Sequence, residues 1–130
     1  MIRTDLPDEP IGGCAAVALE RSGSLLVATV TGELDASSAL LIGAQVTNSL
    51  LSTDREVRLD VGGVGFCDSS GTKVMFQLER SLSDRGTRLV VCNPSPGVRR
   101  VIGLVDPGQS LCVESDAIDL LDQRPATAVD

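Results

Sequence analysis

The sequence of 130 residues contains no histidine, no tryptophan and no tyrosine, and its only lysine is Lys73. Without an imidazole, a Ser-His-Asp triad is excluded, because the serine proton has no base to accept it. Without tryptophan or tyrosine, the chain lacks two of the side chains that stack on nucleic-acid bases and sugar rings. Its only aromatic residues are Phe66 and Phe76, so the core must be aliphatic.

Positive charge is also scarce, since the formal net charge is −7. This balance argues against binding to DNA, RNA or an anionic membrane, each of which requires a positive field. The apolar run SLLVATVTG is too short to span a bilayer, and the start MIRTDLPDEP lacks the pattern of a signal peptide. We therefore expect a cytoplasmic protein that contacts neither nucleic acid nor membrane.

Strand and helix periods alternate along the chain. Strands are predicted at 15–20, 25–32, 56–61, 88–92 and 110–113. Helices are predicted from Asp35 or Ser37 to about residue 51, and at 70–85, 96–105 and 115–123. This order predicts one α/β domain at 14–123, with a lead at 1–13 and a flexible tail at 124–130. The expected sheet begins with an antiparallel pair, continues with mostly parallel strands and is flanked by about four helices.

Local signals place the apolar stripes and the ends of these elements. Glycines 62, 63 and 65 predict a loop after the third strand, and Gly86 is well placed to end the second long helix. The apolar stripe of the first helix is predicted at Leu40, Leu41, Ala44, Leu50 and Leu51. The stripe of the second helix is predicted at Val74, Met75, Leu78 and Leu82.

The four cysteines, Cys14, Cys67, Cys92 and Cys112, form no CxxC pair. With histidine absent, we expect no metal site, no cofactor and no thioredoxin-type centre. Cys67 and Cys92 fall near the carboxyl ends of predicted parallel neighbours. A disulfide there requires Cα atoms within about 7 Å, and it would make the loop after Cys67 redox-sensitive. Cytosolic thiols are normally reduced, which favours free cysteines.

The stretch GFCDSSGTKV, residues 65–74, lies at the carboxyl end of the predicted strand 56–61, where functional loops of parallel sheets gather. Its simplest interpretation is a helix N-terminus capped by Asp68 and the serines. A Ser-Lys dyad would depend on Lys73, which is expected to be exposed and fully protonated. A response-regulator receiver would use Asp60 as phosphoacceptor, but the acidic pair and the later lysine of a receiver are missing.

A third interpretation of the two serines is that they accept a phosphate. Free N–H groups and the helix dipole tolerate added negative charge at a helix N-terminus, so the fold would survive the modification. A partner fitted to the bare hydroxyl would instead meet nearly two extra charges. Asp35 and Asp68, expected nearby, would sharpen that contrast.

Four stretches together resemble the STAS domain of the anti-anti-sigma factor (anti-sigma factor antagonist) family: TGELDASSA at 31–39, the LDV strand, FCDSSGTKVM at 66–75, and RLVVCNPSPGVRRVIGLV at 88–105. The match runs from about Leu25 to Leu121. It implies a protein without catalytic residues of its own that binds an anti-sigma factor with a GHKL-type serine kinase domain and so releases a sigma factor. It also implies phosphorylation at Ser69 and its reversal by a PP2C-type phosphatase.

The resemblance further implies which residues form the partner surface: Asp35, Asp68, Ser69, Ser70, Gly71 and Thr72. Gly71 would let the partner backbone come close. Lys73 and Cys67 depart from the small or apolar residues that are frequent at those positions. One alternative is a STAS scaffold or stress-sensing module that is not regulated by phosphorylation and is redox-modulated through Cys67 and Cys92. The other alternative is a small enzyme or redox protein.

Overall fold

Strands and helices alternate through residues 15–106, 108 and 110–114, which are the residues that the computed structural model describes. The strands are β1 (Ala15–Ser22), β2 (Leu25–Leu34), β3 (Glu56–Cys67), β4 (Arg88–Cys92) and β5 (Cys112–Glu114). The helices are α1 (Ala36–Ser49), α2 (Ser69–Ser83) and α3 (Pro96–Val105). None of these three is long and apolar enough to cross a membrane. The predicted lead, the helix at 115–123, the tail and Cys14 lie outside the described residues.

The five strands stand side by side in chain order. β1 and β2 form an antiparallel hairpin whose turn contains Gly23 at a φ of 61°, and β2 to β5 run parallel. Each parallel crossover steps one strand in the same direction, so right-handed connections place every helix on the same face. α1 accordingly packs on α2, and α2 packs on α3. The predicted mixed sheet is confirmed, with three of the expected helices in the described part.

The core lies between the sheet and this single helix layer. Along β3, Val57, Leu59 and Val61 are buried, whereas the intervening residues 56, 58 and 60 are half-buried. The inner face of the sheet and the helices share one aliphatic cluster, which includes Val30, Ile42, Leu59, Met75, Leu82, Val98 and Ile102. The predicted stripe of α2 is largely confirmed, since Met75, Leu78 and Leu82 are buried and Val74 is half-buried.

The predicted apolar stripe of α1 is wrong except for Leu50, which is half-buried against the core. Leu40 is 57% exposed and Leu41 is 46% exposed, and Leu51, beyond the end of the helix, is also exposed. The residues that α1 buries are Ser38, Ala39, Ile42 and Val46. α1 has apolar residues on all its sides, so the sequence pattern did not show which side of the helix is buried.

β3 is longer than predicted, because Gly62, Gly63 and Gly65 lie within the strand and not in a loop. The pairing with β2 shifts register twice in this part. A Cβ on Gly63 would lie 2.8 Å from Thr31 Cγ2 and 3.2 Å from the Val30 carbonyl oxygen, so any larger residue would force a shift between the two strands. α2 ends at Ser83, two residues before the predicted end, and Asp84 is its C-cap. Gly86 takes a φ of 78° in the turn that follows, and the Thr87 amide donates to the Leu82 carbonyl at 2.9 Å.

The strand register separates Cys67 from Cys92 and corrects the hypothesis that they lie together. β4 pairs with β3 only as far as Asp60, which is opposite Cys92. Cys67 lies seven residues farther along β3, about 23 Å at the usual rise per residue. That distance far exceeds the reach of a disulfide. Both cysteines are free and buried.

Candidate functional site

Two helix N-termini lie side by side at the carboxyl end of the sheet. Leu34 and Cys67 are paired at the ends of the parallel strands β2 and β3, so the chain leaves both strands at the same level. Asp35 then caps α1 and Asp68 caps α2. The Asp68 amide donates to the Leu34 carbonyl at 3.2 Å, which joins the two junctions directly. The expectation that Asp35 is near the DSSG stretch is therefore met.

The start of α1 is held by a capping box between Asp35 and Ser38. Asp35 Oδ1 accepts from the Ser38 amide at 2.9 Å, and the Asp35 amide donates to the Ser38 hydroxyl at 3.0 Å. The hydrogen bond from the Ser38 amide is the main cause that lowers the pKa of Asp35, and the Ser38 hydroxyl adds to it. Sequence reasoning missed Ser38, although the spacing D-x-x-S resembles a capping box.

The start of α2 assigns different tasks to Asp68 and Ser69. Asp68 Oδ1 accepts from the Gly71 amide at 2.8 Å, so the capping group is the aspartate and neither serine. The helix begins at Ser69, one residue earlier than predicted, and Ser69 is exposed. Because Asp68 already caps the helix, the hydroxyl of Ser69 at the first helical position is not needed as a cap and faces solvent.

Gly71 and Thr72 are buried under this surface. A Cβ on Gly71 would lie 2.7 Å from the Leu34 carbonyl oxygen, so glycine here serves the packing of α2 against the end of β2. Thr72 is fully buried, and its Oγ1 donates to the Asp68 carbonyl at 3.2 Å. Both residues therefore act from inside. The residues that reach solvent, Asp35, Asp68, Ser69 and Ser70, are called the Ser69 surface below.

Cys67 is enclosed behind the same surface. Its Sγ lies 3.5 Å from Thr72 Oγ1, and burial is the main cause that raises the pKa of the thiol. A buried thiol with a raised pKa is a weak nucleophile at neutral pH. Among the described residues, no group of three cysteine or acidic side chains is placed to hold a metal ion.

Phe66 flanks the Ser69 surface and was not predicted as a site residue. It is 52% exposed, next to the buried Cys67 and opposite Glu33 of β2. Strand alternation gives the signal that was missed, because a residue beside an inward-facing cysteine points outward. Aromatic side chains are enriched at protein interfaces, so Phe66, two residues before Asp68, is a further candidate for partner contact.

Comparison with known proteins agrees with this architecture. The family model described as the STAS domain matches residues 16–109. The anti-sigma F factor antagonist of Paenibacillus polymyxa is 24% identical over 89 residues, which cover 68% of this chain and 76% of that protein.

Solved structures of two proteins share the fold at low identity. The crystal structure of an anti-sigma factor antagonist from Mycobacterium paratuberculosis superposes with a TM-score of 0.69 at 21% identity, covering 83% of this chain and 92% of that one. The anti-sigma factor antagonist SpoIIAA in its unphosphorylated form gives a TM-score of 0.64 at 23% identity, covering 88% and 100%. SpoIIAA has also been solved in its phosphorylated form, with a TM-score of 0.61. Because the STAS family model matches most of this chain, the chain belongs to the STAS domain family.

Proposed function

We propose that this protein is a cytoplasmic anti-sigma factor antagonist controlled by phosphorylation of Ser69. In its unphosphorylated form it binds an anti-sigma factor with a GHKL-type serine kinase domain, and the sigma factor is released. The kinase domain phosphorylates Ser69, which ends binding, and a PP2C-type phosphatase restores the hydroxyl. The protein is a substrate of these enzymes and has no catalytic role of its own.

The exposed hydroxyl at the start of α2 carries this proposal. Because Asp68 caps the helix, Ser69 can be modified without loss of the hydrogen bond that holds α2. Helix N–H groups and the dipole favour a phosphate at this end. The fold therefore tolerates the change, and its effect is felt by the partner.

The charge and the bulk of the phosphate together set the direction of the switch. The phosphate adds nearly two negative charges to a surface that already carries Asp35 and Asp68. A partner in contact with both carboxylates would have to make room for the phosphate and its charge, because this protein keeps its shape when Ser69 is modified. The two solved forms of SpoIIAA support the proposal, because a protein with the same fold exists in both states.

Phosphorylation is tested by incubation with candidate kinase-type anti-sigma factors and ATP, followed by mass spectrometry. We expect one added phosphate on the wild-type protein and none on Ser69→Ala. If Ser69→Ala is labelled as strongly as the wild type, Ser69 is not the acceptor. Binding without any phosphate transfer would instead favour a STAS scaffold that is not regulated in this way.

Binding is tested with charge variants at the same position. We expect Ser69→Ala to keep its affinity for the anti-sigma factor within about threefold and Ser69→Glu to lose at least about tenfold, the scale of like-charge contacts at interfaces. Ser83→Glu is the matched control, because it adds the same charge at the far end of α2, about 21 Å along the helix. Equal affinities for all variants in calorimetry would refute the electrostatic mechanism.

A further inference from the structure

Lys73 is the only lysine of the chain, and it is exposed on α2 four residues after Ser69. Residues four apart on a helix are neighbours on its surface, with Cβ atoms about 6 Å apart. An acidic group that precedes a lysine by four residues is also the favourable order for a helical ion pair. The next basic residue of α2 is Arg80, which lies about 16 Å from Ser69 along the helix axis.

The remaining charges of this surface, on Asp35 and Asp68, are negative and belong to the two helix caps. They repel a phosphate on Ser69, whereas Lys73 attracts it. We propose that Lys73 is the positioning residue for phosphoserine 69 and pairs with the phosphate along the first turn of α2. The inference rests on the proposed function only in that Ser69 is the residue modified.

The pairing defines what the modified state presents to a partner. The phosphate lies along α2, partly neutralised, and it gains its second negative charge at a lower pH than a phosphoserine without a neighbouring cation. Lysine is suited to this role, because its flexible stem carries a point charge with three donors to a phosphate at this distance. Lys73 contributes nothing comparable when Ser69 bears only a hydroxyl.

The experiment places phosphoserine at position 69 during translation and follows its titration by phosphorus NMR. We expect the second pKa of the phosphate to be lower by about 0.3 in the otherwise wild-type protein than in Lys73→Gln, from the size of a helical ion pair. Lys73→Arg should restore the lower value. The difference should shrink in 1 M salt, where the screening length is about 3 Å.

Arg80→Gln is the matched control, because it removes the same charge from an exposed position of the same helix. The proposal is overturned if Lys73→Gln leaves the phosphate pKa unchanged, or if Arg80→Gln shifts it equally. Since the phosphate is installed without the kinase, this result is independent of kinase activity. A protein that no kinase modifies, yet shows the shift, would sink the proposed switch and leave the pairing intact.

Discussion

Adjacent residues at the start of α2 carry separate tasks. Asp68 accepts from the Gly71 amide, Ser69 faces solvent, and Gly71 allows the backbone of β2 to approach. The sequence motif identified an acid, two serines and a glycine as one functional group of residues, but it did not show which role each of them has. The division depends on the Leu34 carbonyl, which lies far away in sequence and becomes a neighbour only through the parallel register.

Gly71→Ala tests the internal role of that glycine. The added methyl would lie 2.7 Å from the Leu34 carbonyl oxygen, so the backbone must shift. We expect a loss of about 1–3 kcal/mol in the free energy of unfolding, the usual scale for overpacking, measured by urea denaturation. Gly103→Ala in α3 is the control, because nothing lies within 4 Å of its added Cβ. Equal stability of Gly71→Ala and the wild type would show that the contact yields freely.

At the scale of elements, prediction from sequence succeeded where one period ruled and failed where residues far apart in sequence decided. β4 was predicted residue for residue, and α3 began at the expected Pro96. β3 ran six residues past its predicted end, because pairing with β2 holds a glycine-rich segment as strand. Of the predicted site, the structure brings Asp35 to the DSSG stretch and separates Cys67 from Cys92, which register alone decides.

The contact between α1 and α2 leaves room for improvement. Gly43 lies within α1, and a Cβ there would be 3.4 Å from Val74 Cγ1, an ordinary packing distance. We expect Gly43→Ala to raise the free energy of unfolding by about 0.5–1 kcal/mol, since alanine is the better helix former. Thermal denaturation would show a higher midpoint. A lower midpoint would mean that the two helices cannot accommodate one methyl group.

At the end of the sheet opposite Ser69, hydrogen bonds and an ion pair around one aspartate join several parts of the molecule. Arg21 of β1 pairs with Asp54 in the α1–β3 connection, with Nη2–Oδ2 at 2.7 Å and Nε–Oδ1 at 2.9 Å. Asp54 also accepts from the Leu51 amide at 2.8 Å, and its side chain is completely buried. The Thr87 hydroxyl donates to the Asp54 carbonyl at 3.1 Å, which connects β4 to the same point. One aspartate thus joins the hairpin, the α1–β3 connection and the segment that leads into β4.

Asp54 makes stability depend on pH in a definite direction. The hydrogen bond from Arg21 lowers the pKa of Asp54 in the folded state, so its contribution is present above the unfolded pKa of about 3.9 and is lost as the pH falls through the lower folded value. We expect Asp54→Asn to lose about 3 kcal/mol at pH 7, because Arg21 is left without its partner charge. The deficit should narrow below pH 4 in urea titrations.

The exposed carboxylate of Asp84, at the end of α2, provides the comparison. Asp84→Asn removes the same charge from the surface, and its free energy of unfolding at pH 7 should remain within about 0.5 kcal/mol of the wild type. A constant deficit for Asp54→Asn from pH 7 to pH 3 would contradict the linkage to the Asp54 carboxylate.

The solitary lysine also determines how the protein can be handled chemically. Apart from the terminal amine, Lys73 is the only site in the sequence for amine-reactive reagents, and it lies one helical turn from Ser69. A fluorophore attached there would report on the partner surface from a single position. Immobilisation through amines would place the support against that surface and block access of the partner to it. Affinity measurements therefore require attachment at another position.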